Sequence, residues 1–194
     1  IENHQYGQAG SAAYDFIWND YADWYIEIAK QQLSRPQNSR TTVNTLVTVL
    51  DSALRLLHPY VPFVTEEIWQ RLKQSCGNNI SPDNGWPEAL IIAPWPAANP
   101  RYSEATDDLR NFTHIMDIVR SIRNARAEHK VDPARIIAST IVAPDYAAIL
   151  TEYRSAIAAL ARLSSDAFRV SATRPSIPSG AISTIVGTTE IYLS

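Results

Sequence analysis

The chain has 194 residues, 45% of them hydrophobic and 19% charged. That fits one domain, or a domain with a smaller appendage, burying roughly 70% of its unfolded surface, and it excludes a disordered chain. A net charge of −3 and a single cysteine, Cys76, argue against a protein that coats nucleic acid by bulk attraction and against a disulfide framework or Cys-rich metal site.

Ile1 to Tyr6 reads as the inside of a helix. No charged segment followed by an apolar one marks a signal peptide, no apolar run approaches the ~18 residues of a membrane span, and the chain is expected to be a piece of something longer. The stretch YDFIWNDYADWYIEIAK, Tyr14 to Lys30, carries aromatic and aliphatic residues at 14, 17, 18, 21, 24, 25 and 28. These steps of three and four predict a helix that is apolar around much of its circumference, largely enclosed and central to a bundle. Pro36 and the polar run Gln37 to Arg40 are expected to end it. A second helix starts near Thr41 or Thr42, either of which can cap it, and stops at His58-Pro59. A third begins at Pro62 and runs to about Lys73, with Glu66 and Glu67 near its positive end.

Gly77 to Pro100 reads as a long irregular connection pinned by Trp86 and Trp95. A fourth helix starts near Ser103 or Glu104 and runs to about Lys130, with Leu109, Phe112, Met116, Val119 and Ile122 facing the core. After Pro133 the periodicity changes. Ile136 to Ala143 reads as a strand, Tyr146 to Leu163 as a helix and Ala167 to Ala172 as a second strand. Ala181 to Val186 and Thr189 to Leu193 flank a hairpin turn at Gly187-Thr188. The expected fold is α+β: a helical bundle over 1–131, then a small β-α-β-β-β unit over 132–194.

Chemistry-bearing motifs are sparse. The four histidines, His4, His58, His114 and His129, have no metal-ligand spacing, and no nucleophile elbow, phosphate loop or dinucleotide fingerprint occurs. No catalytic, cofactor or metal residue is therefore assigned. Arg120, Arg123, Arg126 and Lys130 fall within roughly 120° of one helix circumference at ~100° per residue. Between 120 and 135, five Lys or Arg stand against Glu128 and Asp132. Such a row either follows a nucleic-acid backbone, positioning it without reading bases, or is the solvated face of an amphipathic helix. The aromatic helix has the same duality between core packing and stacking on splayed RNA bases.

Several stretches resemble valyl-tRNA synthetases in the part after the catalytic domain. They are YDFIWNDYADWYIEIAK (14–30), LDSALRLLHPYVPFVTEEIWQRL (50–72), IIAPWP (91–96) and IRNARAEHKVDPARII (122–137), with VGTTEIYL (186–193) like the family's closing hairpin. The HPYVPFVTEEIW stretch is shared with isoleucyl and leucyl relatives; DFIWNDYADWYIE and IRNARAEHKVDP are more specific to the valyl branch. The resemblance implies a bundle of the class I synthetase anticodon-binding type that docks on the anticodon stem and loop of valine tRNA, followed by a small α+β junction. The resemblance further implies a parent ligase that uses ATP with magnesium and resides in the cytoplasm. The HIGH and KMSKS signatures and the editing domain do not appear here, so the chain itself is expected to be non-catalytic and without a cofactor. Its expected partners are valine tRNA and the remaining domains of the same synthetase, not DNA or membrane. The family bundle usually begins about two helices earlier, which predicts an exposed apolar face. The alternatives are the equivalent region of an isoleucyl-tRNA synthetase, or a purely structural brace for the catalytic body.

Overall fold

The computed structural model describes residues 5–34, 36–77, 80–82, 85–98, 106–176 and 178–194. The chain folds as two compact units, Ile1–Ala98 and Asn99–Ser194.

The first unit is helical. Helix α1 (Tyr6–Asp15) continues into a π-helical segment (Phe16–Tyr25) and then α2 (Ile26–Leu33); α3 (Pro36–Leu57) and α4 (Pro62–Cys76) follow. Helix α3, not the aromatic stretch, is the central element: α1, the π segment, α2 and α4 all pack against it. It begins at Pro36, five residues before the expected caps, so Gln37 to Arg40 lie in its first turns and do not form a loop. Thr42 is buried within the helix and donates to Gln32 Oε1 (3.2 Å). Helix α4 starts with Pro62 in its first turn, where a missing N–H costs nothing. His58 packs at the α3–α4 link, its Nδ1 2.8 Å from Thr65 Oγ1.

In the π segment the Ile26 N–H reaches Tyr21 O, five residues back. The wider turn breaks the 3.6-residue register on which the steps of three and four rest. Tyr21, Trp24, Ile28 and Ala29 are buried, but Tyr14, Phe16 and Trp18 (54% exposed) are not, so this helix is only half enclosed. The Tyr21 hydroxyl donates to Leu46 O (3.0 Å); burial, and then the neighbouring Tyr25, push its pKa up to about 12.

Asp51 organises the core between α3 and α4. Its carboxylate accepts from Arg55 Nε (3.0–3.1 Å) and from Trp69 Nε1 (2.7 Å), and all three side chains are buried. Arg55 Nη1 also donates to Pro94 O (3.1 Å), tying the returning chain to α3. Leu54, Trp69 and Leu90 form the apolar cluster beside this network. The chain after α4 is held by polar anchors: Glu66 accepts from the Leu90 N–H (2.9 Å), Gln70 donates to Glu88 O (2.9 Å) and Lys73 to Pro87 O (2.6 Å). Trp86 joins it, edge-on to Trp69 with ring centroids 5.3 Å apart and its N–H on Ile80 O. Trp95, by contrast, is 52% exposed. Within this connection Leu90–Ile92 forms a 3-10 turn between extended Ala89 and Ala93.

The second unit contains α5 (Thr106–Glu128), β1 (Ile137–Val142), α6 (Ala147–Glu152), α7 (Arg154–Ala161), β2 (Leu163–Ser171), β3 (Ile182–Val186) and β4 (Thr189–Leu193). The expected start of the fourth helix at Ser103 or Glu104 lies outside the described residues. The sheet has the order β2-β1-β4-β3, with β1 parallel to β2 and the other pairs antiparallel. The expected β-α-β-β-β order is thus present, with its helix divided at Tyr153 into α6 and α7. Gly187, with φ 57°, takes the first turn position of the β3–β4 hairpin, a conformation that glycine adopts without strain. Helix α5, which the sequence reading placed in the bundle, packs on β3, β4 and α7 within this second unit. Its buried face is Ile115, Met116, Ile118, Val119, Ile122 and Ala125, whereas Leu109 is 66% exposed.

Candidate nucleic-acid interface

The four predicted basic residues do not form one continuous row. At about 100° per residue, Arg126 falls between Val119 and Ile122 around α5, inside the buried arc, and it is only 6% exposed. Its guanidinium donates to three backbone carbonyls, those of Arg162 (3.2 Å), Asp132 (3.1 Å) and Arg135 (2.7 Å). It therefore laces the end of α5 to the chain entering β1 and to the end of α7. Burial lowers its pKa, the nearby Arg162 charge lowers it further, and Asp132 opposes both.

Arg123 donates through Nε to Leu160 O (3.0 Å) while remaining exposed. Arg123 and Arg126 line one recess of about 320 Å³ with Val131, Pro133 and Arg162. Arg120 faces a different recess, lined also by Asp117, Glu128 and His129, and pairs with Asp117 (3.2 Å). Lys130 is exposed just past α5 in a left-handed conformation (φ 52°). Arg162, which the sequence reading did not single out, has φ 53° and ψ 52° at the end of α7. Only the fold brings it to Arg123 and Arg126.

Charge is divided unevenly. The first unit carries six Lys or Arg against ten Asp or Glu; the second carries eleven against ten. The first unit instead presents an apolar groove of about 660 Å³, lined by Tyr14, Ile17, Trp18, Leu54, Tyr60 and Ile68 among others, with Asp15 its one charged wall. The exposed Tyr14 and Trp18 thus lie in a groove with no cation among its described lining residues to hold a phosphate beside them. Gly10 sits in the same wall, where an added Cβ would fall 2.9 Å from the Tyr60 ring. Among the described residues no group of three or more His, Cys, Asp or Glu is arranged to hold a metal, and no helix is long and apolar enough to cross a membrane.

Residues 1–139 match the family described as the anticodon-binding domain of tRNA ligase. The chain belongs to that family. Similar proteins include the valine–tRNA ligase of Dehalococcoides mccartyi (strain CBDB1), 40% identical over 163 residues, covering 84% of this chain and 18% of that protein. The valine–tRNA ligase of Geobacillus stearothermophilus is 41% identical over 148 residues, covering 74% and 15%. That of Thermosynechococcus vestitus is 37% identical over 196 residues, covering 100% and 20%. The chain spans about a fifth of the length of these curated relatives. The anticodon-binding match covers the helical first unit and extends through α5 into β1.

Proposed function

We propose that this chain is the tRNA-binding region of a valine–tRNA ligase, gripping the anticodon stem and loop so that the acceptor end is placed in a distant active site. The observation that carries this reading is the match of residues 1–139 to the anticodon-binding family. The names of the relatives favour valine over isoleucine as the amino acid of the parent ligase. Catalysis, with ATP and magnesium, belongs to other parts of that cytoplasmic enzyme. Arg120, Arg123 and Lys130 contact phosphates in this reading. Arg126, also in the predicted row, acts mainly by holding the chain beneath Arg123 and Arg162.

The other partner is the remainder of the ligase. The apolar groove of the first unit suits it better than RNA, because among its described lining residues Asp15 alone is charged and the relatives are about five times the length of this chain. An apolar surface of this kind marks a protein contact.

The test is fluorescence-anisotropy binding to valine tRNA, and to the same tRNA with a changed anticodon, at low and moderate salt. Tighter binding to the native anticodon is expected, with affinity falling as salt rises. Absence of binding at low salt would overturn the tRNA reading and leave the structural brace.

A further inference from the structure

The recess at the end of α5 is built unlike an ordinary solvated basic face. Arg123, Arg126 and Arg162 line it, and none of its other lining residues, Ala127, Val131, Pro133, Leu160 and Ala161, is acidic. Of the two carboxylates adjacent in sequence to its lining, Glu128 lines the Arg120 recess, and Asp132 accepts from the Ala134 N–H (2.7 Å) in its own turn while acting on Arg126 only through its charge. Arg126 is buried there with its N–H groups on backbone carbonyls, so it contributes a fixed positive charge that cannot swing into solvent. Arg162 stands in the left-handed region, where a residue with a Cβ is strained and glycine is the usual occupant of a helix end. A non-glycine residue held in that conformation at a charged recess is the kind of backbone outlier that accompanies a binding role. The cations also complement the carbonyl ends of α5 and α7. That role accounts for one or two charges near the helix ends, but it does not require a third guanidinium lining the same cavity.

We propose that Arg123, Arg126 and Arg162 form a seat for one phosphate of the tRNA backbone, with Arg126 as the fixed charge and Arg123 and Arg162 as the groups that reach the anion. This rests on the tRNA-binding reading above and adds to it a defined site and a residue, Arg162, outside the row read from the sequence. The volume suits a phosphodiester, and guanidinium groups match phosphate oxygens with paired donors. The contact positions the RNA and carries no base information.

Arg162→Gly is the informative variant. It removes the guanidinium, keeps the carbonyl that accepts from Arg126 and Ile137, and relieves the left-handed strain, so the fold is retained. Arg169→Gln, at an exposed position on β2, removes one charge elsewhere in the same unit. Anisotropy titrations of the full chain with valine tRNA over 50–200 mM salt compare the three proteins. The slope of log affinity against log salt is expected to become shallower by about 1 for Arg162→Gly. Between those salt concentrations the wild-type advantage then shrinks about fourfold, while Arg169→Gln keeps the wild-type slope. Equal behaviour of the two variants would overturn the phosphate seat while leaving tRNA binding standing. Absence of binding by the wild-type chain would remove both.

Discussion

Replacing Arg126 by methionine separates its two candidate roles, brace and phosphate ligand. The substitution removes three hydrogen bonds from a charged donor to the carbonyls of Arg162, Asp132 and Arg135. Such bonds contribute about 1.5–3 kcal/mol each when cut singly. The sum is not the expected loss. Asp132 and Arg135 are exposed residues, so their carbonyls regain water, and methionine fills the vacated space without the cost of burying a cation. The net expectation is about 2–3 kcal/mol. For a unit of this size, 1 kcal/mol corresponds to about 4–8 °C, so its melting temperature should fall by about 8–24 °C. Thermal unfolding followed by far-UV circular dichroism measures this, with hydrogen exchange of the β1 amides as the local readout. Arg126→Lys should recover little, since an ammonium is a single point of donation that cannot span three carbonyls. A melting temperature within about 2 °C of wild type, together with weakened tRNA binding, would refute the bracing role.

Three further outcomes are expected. Asp51→Ala leaves Arg55 buried without its carboxylate and Trp69 Nε1 without its acceptor, and should cost about 3–5 kcal/mol; urea unfolding read by tryptophan fluorescence reports on it, because all five tryptophans lie in the first unit. Glu66→Ala frees the Leu90 N–H and one Gln70 bond, and should cost about 1–2 kcal/mol; its signature is faster hydrogen exchange and proteolysis over residues 86–93, and an unchanged Leu90 amide would count against the anchor. His114 is stacked on Tyr146 and bonded to Thr189; burial lowers its pKa, with Asp117 opposing. The unfolded chain then binds the extra proton more readily. This contribution is therefore present above about pH 6.5 and lost as pH falls through the folded value. Melting temperatures at pH 7.5 and 5 should differ less in His114→Asn than in wild type, and an equal difference would exclude His114 as the source.

Local chemistry determined much of this protein from its sequence. Proline at a first helical turn set the start of α4, β-branched residues set β1, and Gly187 set the hairpin, since each depends on the backbone preferences of a few neighbouring residues. The motifs shared with tRNA ligases likewise carry the family in local sequence. Other features depended on partners distant along the chain. The π-helical turns broke the period by which Trp18 was placed in the core. The phase of α5 was set by the sheet it packs on, which buried Ile115 and Ile118 and left Leu109 outside. A usable signal for Arg126 was present, since it lies four residues after Ile122 and seven after Val119 on the apolar stripe, but arginine in a row of cations reads as surface. Its three carbonyl partners come from segments that only folding brings together. Arg162 had no signal at all: its position beside Arg123 and Arg126 follows from α7 ending against α5, a long-range packing event that no local periodicity encodes.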